Sequence, residues 1–363
     1  MQQGKILIVG QGICGTVISS LCFQLNIPFH VIDHPPSGSA SIPAAGIINP
    51  VVFKRMLPGW MIESLVPEAF EYYQNMEALL KKNFFHPCGI VKVIANENEN
   101  LLWINATSNP SLSGIIAQEP LPLPELSGLL QPHHSLRLIQ KAGWVDAPLF
   151  LATWKKFLQQ NHLLTEELFD YRQIKNIGQS ELSYRKDDYD RIIFCEGNGV
   201  VKNPWFSNLP WVPTKGDLLV IQPEKKLPEQ HIINRNGFLL PLGNDNRWLA
   251  GSTYHWNDLS PLPSTNGEEE VVEKIKKIID VNFKVLEHWC GIRPGVTDRR
   301  PILGKHPLHP QLQIFNGMGT KGFLLAPGLA KKYLMNMDLP SECRPDRFAP
   351  KQNRQANVNQ KSK

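Results

Sequence analysis

The chain has 363 residues, enough to bury a sizeable core in two domains or one elaborate one. Its residues are 42% hydrophobic and 20% charged, and no uninterrupted apolar stretch approaches the ~18 residues of a membrane-spanning helix, which argues against a membrane span. The formal net charge of +5 resides in residues 344–363, where six basic side chains face one acidic one, so the body is formally neutral and a nucleic-acid face would have to come from patching within the body or from that tail.

The first element is KILIVGQGICG, residues 5–15. An apolar run ends at Gly10, as a buried parallel strand does, and Ile13, Val17, Leu21 and Leu25 then recur at helical spacing. Pro28 ends that helix, and FHVID at 29–33 reads as a second strand with Asp33 at its tip. Residues 64–82 are helical in composition, and CGIVKVIA (88–95) reads as a strand. A Pro-rich crossing at 118–128 leads to Asp146 and a helix whose Pro148 suits its first turn. RIIFCEG (191–197) is another buried strand ending at glycine, while 216–222, 236–243 and 247–254 read as antiparallel strands. Residues 267–283 form an amphipathic helix with acidic residues in its first turn. LQIFNGMG (312–319) is a strand entering a glycine turn, and the helix FLLAPGLAKKYL follows. The end of the chain is polar, lacks aromatics after Phe348 and reads as a disordered basic tail over 344–363.

Nucleotide-type strands thus occur at the start, middle and end, with antiparallel material between them. The expected class is α/β, a Rossmann-like domain (1–62, 141–215 and 288–340) interleaved with an antiparallel-sheet α+β substrate domain (63–140 and 216–287). The six cysteines are widely scattered with no C-x-x-C pair, so free thiols are expected, and neither a disulfide framework nor a metal site. His133 and His134 lie in a Pro-flanked loop and read as solvated. The first apolar run has no basic leader before it, which predicts a cytoplasmic protein.

Gly10, Gly12 and Gly15 make the G-x-G-x-x-G spacing: a tight turn, a backbone that can approach a pyrophosphate, and close packing of helix on strand. The helix N-terminus offers unpaired N–H groups to phosphate, and Asp33 would accept from an adenosine ribose. The loop by itself suits NAD, FAD or S-adenosylmethionine equally. Ala44, Ala45 and Gly46 are small enough for a planar ring to approach the backbone, and a tight structural turn would want the same residues.

Two later segments narrow the choice. CGIRPGVTDRRPILGKHP (290–307) and QIFNGMGTKGFLLAPGLA (313–330), with AAGIINP, GWVDAPLF and GSTY in the same order, resemble the FAD-dependent amine oxidoreductases of the D-amino-acid oxidase and glycine oxidase type. The resemblance covers the chain to about residue 337. It implies FAD as cofactor, with Gly197 at a cofactor-facing turn and Gly317, Gly319, Thr320, Lys321 and Gly322 turning a helix end toward the flavin. It also implies that Arg293 holds a substrate carboxylate, with Tyr254 and Lys321 lining the same pocket. An ion pair of Arg293 with Asp298 is the structural alternative. Tyr254 reads equally as an aromatic packed on the sheet; His255 could line the pocket but reads first as exposed at the strand end, and Lys54 and Arg55 are candidate substrate-facing charges that read first as solvated loop residues.

Thr320 stands where glycine oxidases place a second arginine, Cys195-Glu196-Gly197 replaces the usual alanine-threonine-glycine, and Asp33 stands where glutamate is commoner. The expected reaction is oxidation of the C–N bond of a small amino acid or N-substituted glycine to an imine. Within the family, GIINP…KRM and GTKGFLLAP most resemble the FAD domain of the bifunctional wobble-uridine tRNA-modifying enzymes, which remove a carboxymethyl group from an amine on the base. A tRNA substrate is the alternative, weighed down by the neutral body and the missing methyltransferase half.

Overall fold

The computed structural model describes residues 4–34, 38–243 and 245–348. Strand β1 (Ile6–Val9) is fully buried, and helix α1 (Ile13–Gln24) follows it. Every residue of α1 from Ile13 to Cys22 is buried, because the sheet and the helices of residues 147–160 and 322–334 enclose it. Its buried hydroxyls are paired: Trp154 Nε1 donates to Ser19 Oγ at 2.8 Å, and Ser20 meets the Tyr72 hydroxyl at 2.6 Å. Strand β2 (Phe29–Asp33), helix α2 (Ile62–Leu80) and strand β3 (Gly89–Ile94) come next. Helix α3 (Glu97–Thr107) went unread in the sequence; Asn96 caps it by accepting from the Glu99 N–H.

Strand β4 (Ser135–Ile139) precedes helix α4 (Ala147–Gln160), capped by Asp146, then β5 (Leu164–Glu166) and β6 (Arg191–Phe194). The strands β7 (Thr214–Pro223), β8 (His231–Asn234), β9 (Phe238–Pro241) and β10 (Trp248–Gly251) lead to helix α5 (Thr265–Lys276). The chain continues with β11 (Phe283–Arg293), β12 (Ile302–Lys305), β13 (Leu312–Asn316) and helix α6 (Gly322–Leu334).

Two sheets organise these elements. The first runs β5-β2-β1-β6-β13-β12, parallel except where β12 meets β13. The second runs β11-β7-β10-β9-β8-β3-β4. It was expected to be antiparallel, but β8 pairs with β3 in parallel, since those strands come from distant parts of the chain with no hairpin to join them. Residues 288–293, expected in the nucleotide-binding part, continue β11 as the edge strand of the second sheet, paired with β7 out to Thr214. Gly291 lets β11 run close to Ser39 and Ala40, since a Cβ there would lie 2.9 Å from the Ala40 Cα.

The first residues of the expected disordered tail, 344–348, are ordered in the structure. Residues Pro345–Phe348 form a short 3-10 turn, and Arg347 reaches back to both oxygens of Asp298 at 2.8 and 3.2 Å. That fork occupies the carboxylate weighed as a partner for Arg293. The remainder of the tail, 349–363, lies outside the described residues. Among the described residues no helix is long and apolar enough to cross a membrane.

Candidate active site

A cavity of about 1690 Å³ runs from the Gly10–Cys14 loop to the second sheet. That is larger than the ~300–1,000 Å³ of an ordinary small-molecule pocket, and suits a dinucleotide together with a substrate. At one end Gly12 caps α1 with no side chain of its own; the Ile13 N–H donates to Ser41 Oγ at 3.1 Å, and the rest of the helix N-terminus faces the cavity. Gly15 does not line it. A Cβ there would lie 1.8 Å from the Gly10 carbonyl oxygen, so this glycine lets helix and loop close. Asp33 is 8% exposed, and its Oδ1 accepts the Gln11 N–H at 2.8 Å. Burial raises its carboxyl above the ordinary value, against the pull of that N–H and of Lys155.

Ala44, Ala45 and Gly46 line the cavity. Gly46 also answers a packing need, since a Cβ would sit 1.9 Å from the Val145 carbonyl oxygen. Glu196 and Gly197 line it too. Glu196 accepts from Tyr171 Oη and, at 2.8 Å, from Asn203 Nδ2; even so, burial pushes its carboxyl up to about 7. The sequence offered Glu196 only as a departure from a pattern.

Gly319, Thr320, Lys321 and Gly322 line the cavity where α6 begins, and no side chain caps that helix. Two helix N-termini thus face one cavity, each presenting N–H groups and positive dipole to an anionic or electron-rich ligand. Gly317 is set back from the wall, where a Cβ would press on Val296 and the Ile302 nitrogen. Burial lowers the Lys321 ammonium, with Arg300 adding to the effect, and no carboxylate pairs with it among the described residues.

The far wall belongs to the second sheet. Arg293 Nη1 donates to the Thr253 carbonyl at 3.1 Å and Nη2 to Ser252 Oγ at 3.0 Å, while its guanidinium carbon sits 4.7 Å from the Tyr254 ring centre. No described carboxylate forks with it, and burial lowers its proton affinity. Tyr254 lines the cavity yet is 47% exposed, so it stands at the rim and not packed on the sheet. His255, expected at the exposed strand end, is half-buried; its Nε2 meets Glu270 at 2.9 Å because α5 folds over the strand end. Lys54 lines the cavity and Arg55 does not.

Lys92 was missed. It faces the cavity from β3 beside Glu99 at 3.5 Å, and burial lowers it. A lysine inside the apolar run GIVKVI was its one sequence signal.

Residues 5–334 match the family described as FAD dependent oxidoreductase (DAO). The chain belongs to that family. It is an FAD-dependent oxidoreductase, and the helix ends that face the cavity, the glycine at position 12 and the cavity's volume fit FAD. Its relatives include glycine oxidase from Bacillus subtilis, 28% identical over 137 residues, 36% of this chain and 37% of that protein. Glycine oxidase from Pseudomonas aeruginosa is 21% identical over 344 residues, 89% of this chain and 92% of that one. The bifunctional protein of tRNA 5-methylaminomethyl-2-thiouridine biosynthesis from Legionella pneumophila is 24% identical over 323 residues, and the match covers 84% of this chain but only 46% of that protein. Of solved structures, glycine oxidase from Geobacillus kaustophilus superposes with a TM-score of 0.76 at 19% identity, covering 96% of this chain and 100% of that one.

Proposed function

We propose that this FAD-dependent oxidoreductase oxidises the C–N bond of a small amino acid or N-substituted glycine to an imine, which water then hydrolyses. The observation that carries this reading is the Arg293 guanidinium, placed on the cavity wall with only neutral oxygens as partners. A guanidinium has five donors, and two are taken, so a pair remains for a carboxylate. Bound FAD supplies the two-electron acceptor. The protein's part is orientation: a carboxylate gripped at Arg293 fixes the α C–H against the part of the cavity where Ala44 and Ala45 leave room for a flat ring. Gly10, Gly12, Asp33 and Gly197 would hold the adenosine and pyrophosphate half, and residues 319–322 the pyrimidine edge of the ring. Tyr254 at the rim and Lys321 beside the ring would complete the substrate wall. We assign no side-chain base, because the cofactor carries the difficult chemistry. The domain limits inferred from sequence, with β11 moved to the substrate part, complete the proposal.

The test is anaerobic bleaching of the flavin by glycine, N-methylglycine and D-amino acids. A substrate that bleaches the wild type should show a KM raised at least tenfold in Arg293→Ala, with the yellow colour kept. Unchanged saturation in that variant removes Arg293 from the role.

A second reading, removal of a carboxymethyl group from a tRNA wobble uridine, has one structural support. Tyr254, which lines the cavity, stacks with Trp256 at 6.5 Å between ring centres, and the two are 47% and 57% exposed, as a platform for an unstacked base would be. Including tRNA bearing carboxymethylaminomethyl-uridine in the same screen separates the two.

A further inference from the structure

Behind Arg293 lies a polar network that no part of the proposed chemistry uses. Asp217, on β7, is fully buried, and no lysine or arginine among the described residues forms an ion pair with it. Its carboxylate accepts from Thr253 Oγ1 at 3.1 Å, from the Ser264 N–H at 3.4 Å and from His288 Nε2 at 3.0 Å. His255 Nδ1 stands 4.0 Å away, and Glu268 lies 3.6 Å from the other nitrogen of His288. The first turn of α5 rests on the carboxylate so closely that a Cβ at Gly267 would fall 2.4 Å from Asp217 Cγ. The backbone joins in: the Asp217 N–H donates to Thr253 Oγ1 at 2.9 Å, and the Thr253 N–H to the Asp217 carbonyl at 3.3 Å. Asp217 therefore grips Thr253 through both side chain and main chain.

Thr253 is itself fully buried, and its carbonyl is the one that receives Arg293 Nη1. The neighbouring Ser252 takes Nη2, and Lys274 ties the Ser252 carbonyl down at 2.7 Å. Arg293 pairs with Thr214 across the sheet, and its side chain turns back over Gly216, where a Cβ would collide with Nη2. Among the described residues no carboxylate forks the guanidinium, so its position depends on the Thr253 and Ser252 oxygens that accept from it.

We propose that Asp217 is a positioning residue for substrate, acting through Thr253 to hold the Arg293 guanidinium where it can fork a carboxylate. This rests on the reading of Arg293 given above. The route makes a sign prediction. A buried negative charge near Arg293 opposes carboxylate binding by charge alone, so neutralising it would tighten binding if electrostatics were its whole effect. Positioning predicts the reverse, because a misplaced donor pair loses more than the relieved repulsion returns.

The experiment uses holoenzyme and titrates acetate under anaerobic conditions, reading the flavin absorbance, with chloride at equal ionic strength as control. Thr253→Val removes the hydroxyl at nearly constant shape, and Thr253→Ser keeps it. Acetate affinity is expected to fall about tenfold in Thr253→Val and in Asp217→Asn, and to stay at the wild-type value in Thr253→Ser. For a carboxylated amine that bleaches the flavin, KM should rise by the same factor with kcat nearly unchanged. In an Arg293→Ala background neither substitution should have any further effect, the non-additivity expected of residues acting through one another. Tighter acetate binding in Asp217→Asn, or an undiminished effect of Thr253→Val in the Arg293→Ala background, overturns the proposal. If Arg293→Ala itself binds acetate as wild type does, the carboxylate reading of Arg293 fails as well. Should Thr253→Val not accumulate as yellow protein, Thr253→Ala carries the same comparisons.

Discussion

Glu196 stores a cost that a single substitution should release. Its carboxyl is moved by burial from an ordinary 4.5 to about 7, although Tyr171 and Asn203 both donate to it. Between those two values the folded chain keeps a proton that the unfolded chain has released, so stability falls as pH rises through that window. At ~1.4 kcal/mol per pH unit the loss approaches about 3 kcal/mol by pH 8, an upper figure because water reaches part of the side chain. Glu196→Gln removes the ionisation. It also keeps the hydrogen bonds: Asn203 can donate to the amide oxygen, and the Tyr171 hydroxyl can turn to accept from the amide nitrogen. The assay is urea unfolding of FAD-free wild type and variant from pH 5 to pH 8. The variant should match wild type near pH 5 and exceed it by 1–3 kcal/mol, roughly, at pH 8. All other titrating groups are shared, so two parallel stability curves would refute the assignment.

Other substitutions probe the remaining contacts. Gly15→Ala should cost FAD retention more than fold, because its Cβ would strike the Gly10 carbonyl and push helix α1 off the loop; flavin content after gel filtration checks this. Gly216→Ala should raise KM for the amine substrate with kcat less affected, since the added methyl occupies the space of Arg293 Nη2. Asp298→Asn should weaken the Arg347 fork and lower stability by about 1 kcal/mol, seen as faster proteolysis of residues beyond Arg344 while substrate saturation stays at wild-type values.

The local signals in this chain were strong where one element sufficed to produce them. A buried strand, three spaced glycines, a helix and a strand tipped by Asp33 specify each other within about thirty residues, so the first unit was legible from the start. Arg293 and the 317–322 turn were legible through the family resemblance. The order of the second sheet was not, because parallel pairing of β3 with β8 joins segments about 140 residues apart and leaves no periodic mark in either. Nor could composition show that Asp298 belongs to Arg347, that His255 lies under α5, or that Lys92 and Glu196 face the cavity. Hydrophobic spacing says which face of an element is buried, and only packing says against what. The sequence by itself determined the nucleotide loop, the cofactor's class and the candidate carboxylate grip. Tertiary structure alone decided that grip's support, by bringing Asp217, Thr253 and Arg293 from three separate stretches of chain into one line of hydrogen bonds.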